Sequence, residues 1–383
     1  MDEPSLIFPA AEFRTRCAAL QQGMAQAGLG ALLLTTPADI FYVTGFLTRF
    51  WESPARPWFV VVPRAGAPIA VIPAIGADLM RRTWVRDIRT WDAPDPVDDG
   101  RSLLIETLND ITNSAPVGLP MGLETQLRMP LAEYHHLQSR FSLVDATRVV
   151  QQVREVKSPA EVDRIRASCA IADRAFARVP QIAGAGRPLD QVFRDFQSLL
   201  LQEGADWVSY LAGGAEPDGY GDVISPAPRT PLQAGDVLML DTGAVRDGYF
   251  CDFDRNFAIG RASDTAKRVH AALWAATQVA LDRLRPGMTA QQAHGMMVET
   301  LNKYGVTPLG GRMGHGLGLT LTEWPSLSAK DSTPLRAGMV LTLEPGVEVR
   351  PGCIMVHEEN LLLTDDGAQL LCSRTPPDLP EIL

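Results

Sequence analysis

The chain lacks the features of a membrane-spanning, secreted or nucleic-acid-binding protein. Its apolar runs, such as ALLLTT and PWFVVVP, fall well short of the roughly 18 residues that a membrane span needs. The first residues, MDEPSLIFPAAEF, have neither the basic region nor the long apolar core of a secretory signal. The net charge of -10 argues against a phosphate-backbone partner. We therefore expect a cytoplasmic protein with no nucleic-acid and no membrane partner.

Cysteine and sequence repeats are also scarce. The five cysteines are an odd number, lie far apart and show no CxxC spacing, which excludes a disulfide framework or a cysteine zinc site. No short-period repeat is present, so a solenoid is excluded. What remains, 383 residues with 46% hydrophobic and 21% charged composition, is typical of a globular protein with room for two domains.

The first part of the chain alternates between helical and strand patterns. AAEFRTRCAALQQGMAQAG is apolar at helical spacing and stops at Gly28, and the apolar strand ALLLTT follows. PWFVVVPRAGAPIAVIPA predicts two strands around a turn, and residues 98–109 return to helical spacing. The pattern predicts an α/β amino-terminal domain over residues 1–155.

The second part, residues 156–383, predicts an α+β domain. Ser158, Ser263 and Thr289 each precede an apolar periodic segment and can cap a helix. Four β-rich runs are bounded by Gly, Pro or Asp: DVLMLDTGAV, YFCDFDRNFAI, MVLTLEPGVEV and IMVHEENLLLT.

Three carboxylates lie in the first two of these runs. An Asp-Gly turn at Asp247 joins the runs and is a strong hairpin signal, so Asp241 and Asp252 should lie on neighbouring strands. Alternation along the second strand would place Asp252 and Asp254 on one face. Two carboxylates on one face need a cation, a proton or solvent, and an exposed polar sheet face is the alternative.

Two glutamates and a histidine, which are residue types that bind metal ions, lie in other segments of this region. Glu344 and Glu358 lie in strongly apolar runs, where an unpaired buried carboxylate would be costly. His315 lies in the glycine-rich segment GRMGHGLGL. A set of carboxylates with one imidazole suits Mn, Co, Fe or Zn. Bridging carboxylates would indicate two ions, the arrangement that activates a hydroxide in dinuclear hydrolases.

These residues resemble the pita-bread metallohydrolases, the family of methionine aminopeptidase, Xaa-Pro aminopeptidase, prolidase and creatinase. DTGAVRDGYFCDFDRNF, GHGLGL, LTLEPG and HEENLLLTDDG are similar to four family motifs. The resemblance covers Pro159 to the carboxyl end, and GLGALLLTTPADIFYVTGF is similar to a creatinase-type amino-terminal domain. It implies an α/β domain followed by an α+β pita-bread catalytic domain. It also implies five metal ligands, with Asp252 and Glu358 bridging two ions: Asp241, Asp252, His315, Glu344 and Glu358.

The chain departs from the family pattern at two histidines. Ile224 lies near the place where the peptidases have a catalytic histidine, and Thr322 replaces the histidine of an H-E-x-P motif. In the family these imidazoles hold the substrate carbonyl, and loss of one such donor costs roughly 10²–10³ in rate. The two departures favour a substrate other than an ordinary peptide.

Four further residues are candidates for substrate binding. Glu323 and Asp254 lie close in sequence to proposed ligands, with a hydrogen-bonded scaffold as the alternative for each. His357 precedes Glu358, and alternation favours the alternative that it faces away from the metals. In creatinase-like relatives an amino-terminal segment of the partner caps the active site. By that resemblance, Trp51 would line the pocket of a neighbouring subunit.

The sequence thus predicts a homodimeric metallohydrolase that splits a C–N bond, is similar to Xaa-Pro peptidases and uses Glu344 for proton transfer. The absent histidines favour an alternative, a creatinase-like, ectoine-hydrolase-like or sulfonium-lyase-like enzyme acting on a small zwitterionic metabolite. A peptide-binding protein without catalysis is a third class, disfavoured by the complete set of ligands.

Overall fold

The computed structural model describes residues 7–52 and 57–383. It divides into two compact units between Arg154 and Glu155. Among the described residues, no helix has the length and apolar character required to cross a membrane.

The amino-terminal unit is a mixed sheet flanked by helices. Within residues 7–52 and 57–154, six strands lie in the order β4-β3-β2-β1-β5-β6; β1 pairs antiparallel with β2 and parallel with β5. Apolar side chains of the central strands and of helix α4 form the core. The strands are β1 Ala31–Leu34, β2 Phe59–Pro63, β3 Ile69–Pro73, β4 Asp87–Trp91, β5 Val117–Leu119 and β6 Leu143–Asp145, and the helices are α1 Ala10–Gln26, α2 Pro37–Thr44, α3 Ala77–Arg81, α4 Arg101–Thr112, α5 Leu131–Gln138 and α6 Thr147–Arg154.

The elements predicted for this unit are present. Helix α1 ends two residues before Gly28, and β2 and β3 are the predicted strand pair. The helix predicted over residues 98–109 begins at Arg101 instead. The Asp98 carboxylate accepts a hydrogen bond from the Ser102 backbone N–H at 2.9 Å, and residues that bond to the backbone in this way favour positions outside the helix.

Three of the four helices in the second unit begin at the predicted caps. Ser158 and Thr289 each form a capping box with the residue three positions later, and Ser263 accepts a hydrogen bond from the backbone N–H of Ala266. Such caps satisfy N–H groups that have no partner within the helix. The helices are α7 Pro159–Phe176, α8 Leu189–Gln202, α9 Asp264–Arg283 and α10 Ala290–Lys303.

Three sheets complete the second unit. The first has the order β19-β10-β8-β7, with β9 also paired to β8; the second has the order β13-β12-β14-β17-β18, and the third has the order β11-β15-β16. Buried residues of α9 and α10 pack with these strands in one core. The strands are β7 Trp207–Pro217, β8 Asp236–Arg246, β9 Tyr249–Phe250, β10 Phe253–Ile259, β11 Thr307–Pro308, β12 Arg312–Gly316, β13 Glu323–Ser328, β14 Val340–Leu343, β15 Gly346–Arg350, β16 Cys353–Val356, β17 Glu359–Thr364, β18 Gly367–Leu370 and β19 Glu381–Ile382.

Three of the predicted strands are broken, each at a carboxylate. β9 and β10 are separated at Asp252, β14 and β15 at Glu344, and β16 and β17 at Glu358. The prediction of continuous strands was wrong here, because an apolar run does not show where the backbone stops forming interstrand hydrogen bonds. Alternation therefore does not fix the face of Asp252 relative to Asp254.

Candidate metal centre

The Asp-Gly hairpin brings two aspartates face to face. Asp247 and Gly248 form the turn between β8 and β9, where Arg246 pairs with Tyr249. Farther along the sheet, β10 pairs antiparallel with β8, and Asp254 lies directly opposite Asp241. Directly opposed residues share a sheet face, so Asp254 is the cross-strand partner of Asp241.

Asp252 is fixed in the break between β9 and β10 by its backbone. Its N–H donates to Asn360 Oδ1 at 3.0 Å, and its carbonyl accepts a hydrogen bond from the amide nitrogen of Asn360. Asn360 lies on β17, two residues after Glu358. One asparagine thus ties the two strand breaks together, which explains why an Asn follows Glu358 at this spacing.

His315 faces two carboxylates. Its Nε2 lies 3.2 Å from Asp252 Oδ2 and 3.7 Å from Glu344 Oε2. Its Nδ1 lies 2.8 Å from the Gly316 carbonyl oxygen, which can only accept, so Nδ1 carries a proton. In the neutral ring Nε2 then has its lone pair free for a metal, the arrangement found at metal-binding histidines.

Glu358 completes the cluster, and Asp254 positions it. The Glu358 backbone N–H donates to Asp254 Oδ1 at 2.7 Å, and its carbonyl accepts from Arg255 at 2.9 Å. One ligand atom each of Asp252, His315 and Glu358 lie within 4.8 Å of one another. These three residues are therefore arranged as a metal site would require.

Burial and mutual repulsion perturb the acidic groups. Burial, followed by the charges of neighbouring carboxylates, raises the pKa of Asp241 and of Glu358 well above the ordinary range. Burial also raises the pKa of Glu344, against the lowering effect of His315. Burial would lower the pKa of His315, but the hydrogen bond to Asp252 and the Glu344 charge raise it. A bound cation would offset the repulsion between these carboxylates, as would protonation.

The donor set fits divalent cations. Asp241 Oδ1 and Glu358 Oε1 are buried and have no hydrogen-bond partner within residues 7–52 and 57–383. A buried carboxylate oxygen without a partner is costly unless it is protonated or bound to a cation. Carboxylate oxygens with one imidazole nitrogen suit hard or borderline ions.

Tyr210 belongs to the site, although the sequence did not indicate it. Its hydroxyl on β7 donates to Asp252 Oδ1 at 2.6 Å. Burial and the charges of Asp241 and Asp252 raise the pKa of Tyr210, so the hydroxyl stays a donor. A Cβ placed on Gly243 would lie 2.7 Å from the Tyr210 ring. This close approach explains the glycine two residues after Asp241.

Glu323 is held as a scaffold. Its Oε2 pairs with Lys157 Nζ at 3.0 Å, and both side chains are almost fully buried. Its Oε1 accepts from the backbone N–H groups of Leu319 and Thr320 at 2.9 and 3.2 Å. These contacts hold the loop between β12 and β13 and favour the scaffold alternative over substrate contact.

His357 lies in a separate buried network. Its Nε2 is 3.3 Å from Glu359 Oε1 and 3.0 Å from an Arg374 nitrogen, and its ring packs edge-on against His270. Burial lowers the pKa of His357 and brings that of His270 to about 4. The placement favours the alternative that His357 faces away from the metals.

The positions of the absent imidazoles have distinct environments. Ile224 is 89% exposed. The Thr322 hydroxyl accepts from Arg312 at 3.4 Å, and the Arg312 Nε donates to Glu344 Oε1 at 2.9 Å. Arg312 is a second residue that no motif indicated, and it connects the Thr322 position to a proposed ligand.

Trp51 packs within the amino-terminal unit. Its ring contacts Phe46 and Trp58, and the Arg128 guanidinium lies 5.3 Å from its ring centroid. Residues 53–56 of the aromatic segment that contains it lie outside the described residues. A role of Trp51 in a partner's pocket stays a prediction.

Comparison with known proteins identifies the family of the chain. Residues 163–366 match metallopeptidase family M24, and residues 16–156 match the creatinase/prolidase N-terminal domain. A probable dipeptidase, PepE of Mycobacterium tuberculosis, is 28% identical over 94% of each chain. An Xaa-Pro dipeptidase of Pyrococcus furiosus is 28% identical over 66% of this chain and 73% of its own.

A solved structure extends the similarity to the fold. The crystal structure of dipeptidase PepE from Mycobacterium ulcerans superposes with a TM-score of 0.84 at 29% identity, covering 98% of this chain and 99% of that one. The predicted fold class, an α/β amino-terminal domain followed by an α+β pita-bread catalytic domain, is confirmed.

Proposed function

This chain belongs to metallopeptidase family M24 and is a metallohydrolase, and from that premise we propose that it is a dinuclear hydrolase of the C–N bond in short peptides. The observation that carries the proposal is the buried carboxylate cluster, with Asp241 Oδ1 and Glu358 Oε1 lacking any hydrogen-bond partner among the described residues. Its relatives include proteins named dipeptidase and Xaa-Pro dipeptidase.

The proposed ligands are the five residues that the sequence indicated. Together they would hold two divalent ions, which could be Mn, Co, Fe or Zn. When bound, such ions supply Lewis acidity and a nucleophilic hydroxide at neutral pH. The five residues are Asp241, Asp252, His315, Glu344 and Glu358.

The protein's own residues orient this site and transfer protons. Glu344 is proposed to carry a proton from the nucleophile to the leaving nitrogen, a role for which its raised pKa suits it. Asn360 and Tyr210 hold Asp252 through its backbone and its carboxylate. Asp254 holds Glu358 through its backbone N–H. These hydrogen bonds would keep the proposed ligands in place during turnover.

Metal analysis and a dipeptide assay test the proposal. Protein purified without chelator should contain divalent ions and cleave Ala-Pro or Ala-Ala after addition of Mn or Co. Asp252→Asn should lose both properties, because the amide is neutral and cannot replace a bridging carboxylate. Asp247→Asn, on the same hairpin but paired with Arg164, is the matched control. Less than one ion per chain, without activation by either metal, would refute the proposal.

A second candidate function keeps the fold and changes the substrate. Thr322 and Ile224 stand where the peptidases have imidazoles, which favours a small zwitterionic metabolite processed by a creatinase-like, ectoine-hydrolase-like or sulfonium-lyase-like enzyme. A panel of small zwitterions assayed beside the dipeptides distinguishes the two. Turnover of the zwitterions alone would select this candidate.

We also propose a cytoplasmic homodimer with domains at residues 1–155 and 156–383, in which Trp51 lines the partner's pocket. Light scattering after size exclusion should give twice the chain mass. The Trp51→Ala variant should raise the KM for the substrate, whereas its melting temperature should change little. A fully active monomer would refute this arrangement.

A further inference from the structure

Asp254 adds a carboxylate beside the proposed metal ligands. It lies directly opposite Asp241 in the pairing of β10 with β8, and it is 1% exposed. Burial raises the pKa of Asp241 and of Glu358 most, and the charges of neighbouring carboxylates, Asp254 among them, raise both further. The four proposed carboxylate ligands therefore have a fifth carboxylate next to them, and it is fully buried.

The hydrogen bonds of Asp254 favour its ionised form. Its Oδ1 accepts from the Glu358 backbone N–H at 2.7 Å, and its Oδ2 accepts from Asn256 Nδ2 at 3.3 Å. The same Asn256 nitrogen donates to the Val356 carbonyl oxygen at 2.7 Å. Because a carbonyl oxygen can only accept, the nitrogen of this amide and not its oxygen faces Asp254. Both of these partners are donors, an arrangement that stabilises the carboxylate over the carboxylic acid.

A carboxylate buried at this place is costly unless a cation lies nearby. Burial raises the pKa of Asp254 to about 8, and the Arg255 charge and the Glu358 N–H offset this only in part. A positive charge within a few ångströms stabilises an ionised carboxylate. Cations bound by Asp241 and Glu358 would supply that charge, and the Asp254 carboxylate would attract them in turn.

We propose that Asp254 is a positioning residue whose charge raises the affinity of the centre for divalent cations and destabilises the cation-free protein. This inference rests on the proposed metal centre and goes beyond the hydrogen bond from Asp254 to Glu358. The two effects have opposite signs, because a like charge beside Asp241 repels the empty site and attracts an incoming cation. A hydrogen bond alone would stabilise both forms of the protein.

Calorimetric titration of the full-length, chelator-treated protein with Mn²⁺, together with melting curves of the cation-free form, tests the inference. Asp254→Asn keeps a side-chain oxygen for the Glu358 N–H but removes the charge. It should weaken Mn²⁺ binding about 10- to 100-fold, as loss of an outer-shell partner does, and raise the melting temperature of the cation-free protein. Asp254→Ala also removes the oxygen and should weaken Mn²⁺ binding little further.

Asp173→Asn is the matched control for the loss of a carboxylate charge. Asp173 lies on α7, and its carboxylate also accepts a backbone N–H, from Ser373 at 2.8 Å. Neither Asp173 nor Ser373 is a proposed ligand. The substitution should therefore leave the Kd for Mn²⁺ at the wild-type value, which separates the effect of Asp254 from a general effect of lowering the negative charge of the protein.

The outcomes separate this inference from the function on which it rests. A wild-type Kd in Asp254→Asn, with weaker binding in Asp254→Ala alone, would overturn the inference and leave the metal centre intact, because the hydrogen bond would then account for the role of Asp254. Weaker binding together with a lower melting temperature of cation-free Asp254→Asn would also overturn it, since both changes would follow from a disturbed fold. Absence of Mn²⁺ binding to the wild-type protein would overturn the inference and the proposed metal centre together.

Discussion

At the scale of single residues, the site depends on side chains that hold the proposed metal ligands in place and are not themselves proposed ligands. Tyr210 donates to Asp252, Asn360 brackets the Asp252 backbone, and Asp254 receives the Glu358 N–H. Such contacts orient a ligand and tune its affinity for metal. Each can be removed without deleting a ligand.

Tyr210→Phe removes one hydroxyl and should lower metal affinity or activity about 10- to 100-fold, as loss of an outer-shell contact does. The ring remains, so the thermal midpoint should change little. Metal titration monitored by calorimetry measures the effect. Tyr304→Phe, at a tyrosine that is 47% exposed, provides the control, and equal affinities in wild type and Tyr210→Phe would contradict the role.

Glu323→Gln tests the scaffold assignment for that residue. The substitution leaves the Lys157 charge buried without its partner, which typically costs about 3 kcal/mol or more. The unfolding midpoint in urea should fall, whereas the KM of the enzyme should change little. Glu299→Gln is the control, because the Lys303–Glu299 pair is exposed and should show no measurable change. A raised KM at unchanged stability would instead favour substrate contact.

At the scale of elements, three of the five proposed ligands lie where strands stop. Asp252, Glu344 and Glu358 each occupy a break between two strands, and His315 lies on the short strand β12 beside β13 and β14. Motif spacing predicted these residues, and capping residues predicted three of the four helices. The breaks could not be predicted, because they depend on hydrogen bonds to distant residues: the Asp252 N–H donates to Asn360 Oδ1 and the Glu344 N–H donates to the Met313 carbonyl oxygen.

The sequence did not predict that Tyr210 and Arg312 belong to the site, for a related reason. Tyr210 lies in WVSYLAGG, where an aromatic residue on a half-buried strand is ordinary. Arg312 is one of many charged residues at strand ends. Their roles depend on contacts that span 42 and 32 residues of sequence, which local pattern does not contain.

Gly314→Ala should disturb the strand that holds His315. Gly314 has φ of +146°, and a Cβ there would lie 2.3 Å from the Thr342 carbonyl oxygen. The strain and overlap should destabilise the protein by about 2 kcal/mol or more and lower metal affinity with it. Circular dichroism melts and metal titration measure both effects.

Gly295→Ala is the matched substitution. Gly295 lies within α10, and a Cβ there would have no atom within 4 Å. Alanine in a helix interior should stabilise the protein by about 0.5–1 kcal/mol. If both variants changed the melting temperature alike, the close approach at Gly314 would not be the cause.

At the scale of the whole molecule, metal binding and folding should be coupled. A cation that binds the native state alone adds about 2.7 kcal/mol at a concentration 100-fold above its Kd. For a unit of this size, treatment with a chelator should lower the melting temperature by roughly 5–10 °C. Addition of Mn or Co should restore it.

Asp252→Asn provides the control for this experiment, because its melting temperature should respond weakly to either chelator or metal. Calorimetric scans of wild type and variant, with and without chelator, measure the effect. Identical wild-type scans in both conditions would show that the carboxylate cluster binds no stabilising cation.

The pairing of Asp241 with Asp254 has a consequence for biosynthesis. Asp241 and Glu358 are separated by 117 residues, and at typical rates of translation the second is made about 6–25 s after the first. The hairpin that carries the two aspartates therefore leaves the ribosome long before the strand break that bonds to Asp254. During that interval the emerging chain has only part of its proposed ligand set, so the complete site can form only after Glu358 and β17 have been made.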